Sequence, residues 1–521
     1  MSKAVFGGVV MAALAIALAF RLVGADLRPV HHDEANQAVR FGTLLETGEY
    51  RYDRNDHHGP TLYYLTLPVA WLRGQTTLAE LDERTIRAVP AIFGAGLILL
   101  FPLLAGGLGR TSVAVSAFLA ALSPALTYYS RSYIQESIFV FFTLAFLIAL
   151  GRYALQARAV WAMCAGTCAG LAYATKETSL IVLLTAAAAA AVARVWTGAA
   201  GERGGGAPAV SSWTRAGHAM AGLAAALLVS LVFYSSFFTH PEGLVESIRA
   251  FSIYVERGVG SGPHAQPWEY YLRLLAYTAS GGVVWTEGLV LSLAAVGLVA
   301  AARRSTARFW PRYIGLYAVF TCVAFSSVRY KTPWNLLPFY SAFVLMAGYG
   351  GAALIDGARS RVMRGLVLVL FALACWQLGT QNWRANFQYP ADPRNPYVYA
   401  QTSPDFLRLV QRVTDVSVLH ADRAGMLVKV IAGPYEQWPL PWYLRRMTRV
   451  GYWSHTAEAG RVDDAPVIVA SQDQAETVGA ALGDRYVSEF YGLRPDVVLT
   501  VYIERALWER FLASRPPQSQ P

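Results

Sequence analysis

At 521 residues, 55% of them hydrophobic and only 15% charged, the chain is too apolar for a water-soluble globular protein, and its mean hydropathy of +0.34 agrees. The formal net charge of +10 does not mark a nucleic-acid binder, because the excess cations sit in short connections between apolar runs. Cys164, Cys168, Cys322 and Cys375 all fall in apolar stretches, which excludes a disulfide framework or a zinc spacing.

The first apolar run, 4–24, follows Lys3 and reads as an uncleaved membrane helix rather than a signal peptide. Further runs centre on 87–108, 112–129, 134–151, 160–175, 178–195, 217–237, 280–302, 313–328, 335–355 and 363–380. The chain is therefore expected to be an α-helical polytopic membrane protein of about 11 transmembrane helices, up to 13, occupying residues 1–380. With the N-terminus in the cytoplasm, Lys3, Arg110, Arg152, Arg158, Arg194, Arg203, Arg215, Arg303, Arg304, Arg308, Arg312, Arg359, Arg361 and Arg364 all fall inside, opposed only by Glu202 and Asp356. The positive-inside rule selects this orientation, in a cell (inner) membrane. Gly201–Pro208 reads as a flexible cytoplasmic linker.

Four polar segments then face outward. In the first, 25–84, His31-His32-Asp33-Glu34 precedes an amphipathic stretch that stops at Thr47-Gly48, a helix with acids in its first turn. Capping by Asp33 is the structural alternative to a chemical role. Asp56-His57-His58-Gly59-Pro60 follows, then a short apolar segment, Leu62 to Trp71, suited to the interface. His31, His32, His57 and His58 with Asp33 and Glu34 are zinc or manganese ligand types in no standard spacing. A divalent metal is thus possible, and no cofactor is required.

The second outer segment carries Arg131 and Glu136 at the edge of a span, where ionised groups are costly. Lys176-Glu177 reads as an outer turn with a local ion pair. The third segment is 239–280. Arg329-Tyr330-Lys331-Thr332-Pro333-Trp334 puts two cations and an aromatic before a span, either as interfacial anchors or as a lipid-phosphate site. From 381 to 521 the pattern changes to a soluble α/β domain: strands at Val416–Leu419, Met426–Ile431, Pro466–Val469 and Val497–Ile503, and helices at Phe406–Val413, Glu476–Leu482 and Ala506–Leu512.

Several pieces resemble a known group. Asp33-Glu34 after the first helix, Gly59-Pro60 opening a second short helix, Arg131…Glu136, Gln266-Pro267-Trp268-Glu269-Tyr270-Tyr271-Leu272 and Lys331…Leu336-Leu337-Pro338 resemble the GT-C glycosyltransferases. Within them, the likeness is to glycosyltransferase family 39, the protein O-mannosyltransferases and aminoarabinose transferases. His31-His32-Asp33-Glu34-Ala35, His58-Gly59-Pro60, Tyr330-Lys331-Thr332-Pro333-Trp334, Asn395-Pro396-Tyr397-Val398-Tyr399 and Trp438 to Arg445 are also similar to a prokaryotic family labelled flippase-activity-associated.

The resemblance implies an inverting transfer of a hexose or pentose from a polyprenyl-phosphate carrier to a glycan, lipid or protein acceptor on the extracytoplasmic face. It implies Asp33 as the carboxylate base, with Glu34 or Glu136 assisting. Lys331, Arg131 and Arg329 would hold the donor phosphate, Lys331 being the best placed. His58, Trp268, Tyr271 and Trp334 would bind substrate. The alternative function is an accessory protein for flipping or transport of lipid-linked saccharides. Partners are then membrane lipid and a lipid-linked sugar, and no nucleic acid.

Overall fold

The computed structural model describes residues 1–55, 58–199, 211–259, 264–303 and 308–515. The linker Gly201–Pro208, the cations Arg203 and Arg304, and His57 lie outside the described residues.

In chain order the helices are α1 (Lys3–Leu22), α2 (His32–Thr47), α3 (Thr61–Leu72), α4 (Glu83–Leu100), α5 (Ala105–Leu108), α6 (Arg110–Leu122), α7 (Pro124–Ser130), α8 (Glu136–Gln156), α9 (Ala159–Tyr173), α10 (Ser179–Ala199) and α11 (Ser212–Tyr234). They continue with α12 (Glu242–Val259), α13 (Tyr270–Ala276), the hairpin β1 (Thr278–Ser280) and β2 (Val283–Trp285), α14 (Gly288–Arg303), α15 (Phe309–Ser327), α16 (Leu337–Gly357) and α17 (Arg361–Trp383). Every apolar run of the sequence is helical, except that 280–302 opens with the β1–β2 hairpin. Gly281 and Gly282, both at positive φ, make its turn.

Seven helices among the described residues are long and apolar enough to cross a bilayer. The pair α6–α7, bent by 57°, adds an eighth if counted as one span. The three remaining expected spans are not among them: α9 and α14 have only 15 and 16 residues, and α15, with 19, carries Arg312 and several aromatic and small polar residues. The protein is a multi-pass membrane protein with seven or more apolar spans.

Small residues bring these helices together. A Cβ on Gly166 would lie 1.9 Å from the Gly222 carbonyl, so α9 and α11 touch backbone to backbone. Gly297 and Gly350 do the same for α14 and α16, 2.1 Å from the Met346 carbonyl and 2.0 Å from that of Leu293. Where apolar burial against lipid gives no net drive, this close packing supplies the cohesion.

The two ends of the bundle differ. At one end, Arg110 donates to the Met1 carbonyl, Arg152 to that of Leu103, and Arg312 lies over the Trp196 ring. At the other end the long polar segments gather, joined by bonds between residues distant in sequence.

The C-terminal region carries α18 (Pro404–Leu419), β3 (Val428–Ile431), α19 (Leu440–Tyr443), β4 (Val450–Trp453), β5 (Val467–Ser471), α20 (Gln472–Leu482), β6 (Tyr486–Arg494), β7 (Val497–Glu504) and α21 (Arg505–Ala513). The sheet order is β4-β3-β5-β7-β6, parallel from β4 to β5 and antiparallel beyond. Central β3 and β5 are buried throughout, and read in the sequence as unbroken apolar runs. The sequence reading missed the edge strands β4 and β6. Four residues with a glycine, and a strand mixing Ser, Glu and Gly with aromatics, carry little alternation. It also assigned Val416–Leu419 to a strand; these residues end α18. Phe406, Leu409, Val413 and Val416 share a helical face, all buried, and that period outweighs the local β-branched composition.

This region docks on the first polar segment. Tyr443 Oη accepts from Val30 N–H at 2.8 Å, Gln401 donates to the Pro29 carbonyl at 2.7 Å and Thr402 to that of Val30 at 2.7 Å. Trp442 donates to Glu83 at 2.9 Å, and Arg445 to the Leu81 carbonyl at 2.6 Å.

Candidate active site

The start of α2 decides what its two acids can do. His31 is the N-cap: its Nδ1 accepts from Asp33 N–H at 3.0 Å, and Glu34 accepts from His31 N–H at 3.0 Å, closing a capping box. The cap is thus an imidazole and not Asp33. Since Nδ1 is an acceptor, the proton sits on Nε2, which donates to the Tyr399 carbonyl at 3.0 Å.

Asp33 and Glu34 then diverge. The Glu34 carboxylate is fully buried, its two oxygens 2.8 Å from Nε and Nη2 of Arg87, with Tyr133 N–H donating at 2.7 Å and the Arg28 guanidinium ion-paired to it at 4.0 Å. Burial opposes its ionisation, but the charges of Arg87 and Arg28 and the bonds from Arg87 outweigh that and hold its carboxyl down at about 2. The expectation of Glu34 as a catalytic assistant is therefore corrected: every lone-pair direction it offers is spent on structure.

The Asp33 side chain is 42% exposed and accepts no hydrogen bond among the described residues; His31 Nδ1 is 3.7 Å from it. It stands at a cleft lined by His31, Tyr129, Trp334, Tyr397, Tyr399 and Gln401. The rings interlock edge to face: Trp334 lies 5.7 Å from Tyr399, and 6.2 Å from both Tyr129 and His31.

The other expected residues take these places. Glu136 opens α8 and pairs with Lys176, both buried, and Lys176 also donates to Asn335 at 2.9 Å. Lys176-Glu177 is thus no local pair, and the Glu136 carboxylate is engaged by Lys176 rather than facing the Asp33 cleft. Glu177 instead accepts from Tyr52 at 3.1 Å and bonds His58 Nδ1 at 2.8 Å. His58 thereby fastens the first segment to the α9–α10 turn, and it is not among the residues lining the Asp33 cleft.

Arg131 gives its Nη1 to the carbonyls of Phe20 and Val23 at 2.7 and 2.8 Å, and Nη2 to that of Gly24 at 2.5 Å. A cation at the C-terminus of α1 meets the carbonyls exposed where the helix ends, so these donors of Arg131 are spent on the backbone. Lys331 is similarly engaged, donating to the carbonyls of Gln266 (3.0 Å) and Val328, and burial lowers its pKa. Arg329, one bridge residue away, is exposed. Trp334 is in the cleft wall, whereas Trp268 is exposed and Tyr271 is buried, and neither lines the cleft.

Both ring nitrogens of His31 are bonded. His32 stacks on Tyr435 at 6.1 Å, with its pKa lowered by burial. Among the described residues no group of three or more metal-binding side chains exists.

Sequence reasoning did not find Arg87, Arg28 or Glu287 as members of this end of the molecule. Tyr397 and Tyr399 entered only through a motif likeness. The signal for Arg87 was a cation at the very start of the 87–108 apolar run.

The family model described as dolichyl-phosphate-mannose-protein mannosyltransferase matches residues 66–201. Among solved structures, ArnT from Cupriavidus metallidurans, bound to undecaprenyl phosphate, is 16% identical, covering 95% of this chain and 98% of its own at a TM-score of 0.61. The Archaeoglobus fulgidus oligosaccharyltransferase, tethered to an acceptor peptide, is 14% identical, covering 94% of this chain and 69% of its own at a TM-score of 0.59. No curated protein matches. Fold and comparisons together define a membrane protein of the GT-C glycosyltransferase fold. Over 66–201 the chain resembles the mannosyltransferases of glycosyltransferase family 39, the likeness its sequence motifs implied. The flippase-associated likeness finds no support in these matches.

Proposed function

We propose that the protein is a membrane glycosyltransferase that moves a sugar from a polyprenyl-phosphate carrier to an acceptor hydroxyl, with inversion, on the extracytoplasmic face of the cell membrane. The observation that carries this reading is the Asp33 carboxylate: half-exposed, accepting no hydrogen bond among the described residues, and set in an aromatic cleft at the polar end of an apolar bundle. In the reaction, Asp33 takes the acceptor's proton while its oxygen bonds to the anomeric carbon and the bond from that carbon to the phosphate oxygen breaks. The lipid phosphate leaves with the electron pair. Aromatic faces such as Trp334 and Tyr399 suit the apolar faces of a sugar ring, and Arg329 is the exposed cation for the departing phosphate. The polar end lies outside, the basic end with Lys3 and Arg110 in the cytoplasm, and 381–521 forms an extracytoplasmic domain over the first segment. The acceptor is a glycan, lipid or protein.

The test is transfer from polyprenyl-phosphate sugars in reconstituted vesicles. Asp33→Asn is expected to lower kcat by about 100-fold or more, the usual contribution of a general base, with carrier binding retained. Unchanged transfer would remove Asp33 from the mechanism.

A further inference from the structure

Glu287 is a buried carboxylate that the proposed chemistry does not use. It stands one residue before α14, with no solvent exposure. Its Oε1 accepts from Ala125 N–H at 2.8 Å and from Tyr397 Oη at 2.9 Å. Its Oε2 accepts from Ser123 Oγ at 2.8 Å and from Tyr340 Oη. No basic side chain pairs with it in any of these bonds. A buried carboxylate without a cation is costly, and only a full set of donors makes it tolerable. An apolar residue would fill the space more cheaply. What a carboxylate adds is two oxygens that accept from several directions at once.

Those directions lead to separate elements. Ser123 and Ala125 flank the 57° bend between α6 and α7. Beyond that bend, α7 carries Tyr129, whose Oη donates to the Tyr397 carbonyl at 3.1 Å, and Tyr128, whose Oη donates to the Pro390 carbonyl at 2.8 Å. Tyr340 lies in the first turn of α16, directly after the turn bearing Trp334. Tyr397 belongs to the strap leading from α17 to the C-terminal sheet. Tyr128, Tyr129, Trp334 and Tyr397 all line the Asp33 cleft.

We propose that Glu287 is a positioning residue, joining the α6–α7 bend, the start of α16 and the 389–399 strap so that the aromatic walls of the Asp33 cleft hold one geometry. This rests on the reading of that cleft as the transfer site.

The experiment uses the full chain in lipid nanodiscs, with hydrogen exchange and transfer kinetics from a polyprenyl-phosphate sugar measured on the same preparations. Glu287→Ala is expected to speed exchange about tenfold in peptides covering 124–130 and 389–399, while the sheet within 428–504 is unchanged. It should raise KM several-fold more than it lowers kcat. Glu287→Gln, which keeps one acceptor oxygen for Ala125 and Tyr397, should restore most of both. Should Glu287→Ala fail to fold, Tyr397→Phe removes one donor only and is expected to loosen 389–399 alone. Unchanged exchange in these segments overturns the proposal, as does faster exchange with unaltered KM and kcat. A wild-type protein that transfers no sugar refutes the transfer reading instead, and the exchange measurement still decides whether Glu287 joins the three elements.

Discussion

Two neighbouring carboxylates, identical in charge and one position apart, end in opposite states. Glu34 is held by Arg87, and Asp33 keeps its oxygens. The Glu34 pair carries a pH dependence. A free glutamate titrates at about 4.3, and in the folded protein Glu34 is held at about 2. Its contribution to stability is complete above the unfolded value and is lost as pH falls from there through the folded one. Thermal midpoints in detergent are expected to fall steeply below about pH 4.5 for the wild type. Glu34→Gln, which leaves Arg87 buried without a counter-charge, should be destabilised already at neutral pH, by about 3–5 kcal/mol. A neutral-pH midpoint equal to that of the wild type would contradict this account.

At the scale of elements, the polar end is held by joints between short connections. Gly59 is one: a Cβ there would lie 2.1 Å from the Ala174 carbonyl oxygen, and Thr61 N–H donates to that same oxygen at 3.2 Å. Backbone cannot yield as a flexible side chain can, so Gly59→Ala is expected to cost about 1–3 kcal/mol and to expose the 58–63 segment to protease. The Glu136–Lys176 joint makes a second prediction. Lys176→Met leaves a buried carboxylate unpaired and should destabilise strongly, and adding Glu136→Gln should recover part of the loss in a double-mutant cycle. Additive effects would mean that the two do not interact. Both joints show why sequence reading misplaced these residues. Lys176 and Glu177 look like a surface pair when only neighbours are visible, yet their partners lie 40 and 119 residues away.

Across the whole molecule, the C-terminal region and the first polar segment form one unit. Gln401, Thr402 and Tyr443 hold Pro29 and Val30, immediately before the α2 cap, and the Tyr399 carbonyl accepts the hydrogen bond from His31 Nε2. Replacing Gln401 and Thr402 together by Ala and Val should raise exchange at 29–34 and weaken transfer, with the apolar helices unaffected. Transfer at the wild-type rate with faster exchange would show that this contact does not tune the site. By itself the sequence determined the apolar helices, the separation of a basic end from a polar one, and an α/β tail. Those properties follow from local hydropathy, charge and period, which need no knowledge of partners. Only the tertiary structure decided which acid at the start of α2 keeps its oxygens, which cations are spent on carbonyls, and that His31 rather than Asp33 caps α2. A side chain's availability depends on donors brought from distant segments, and burial sets their strength once they arrive.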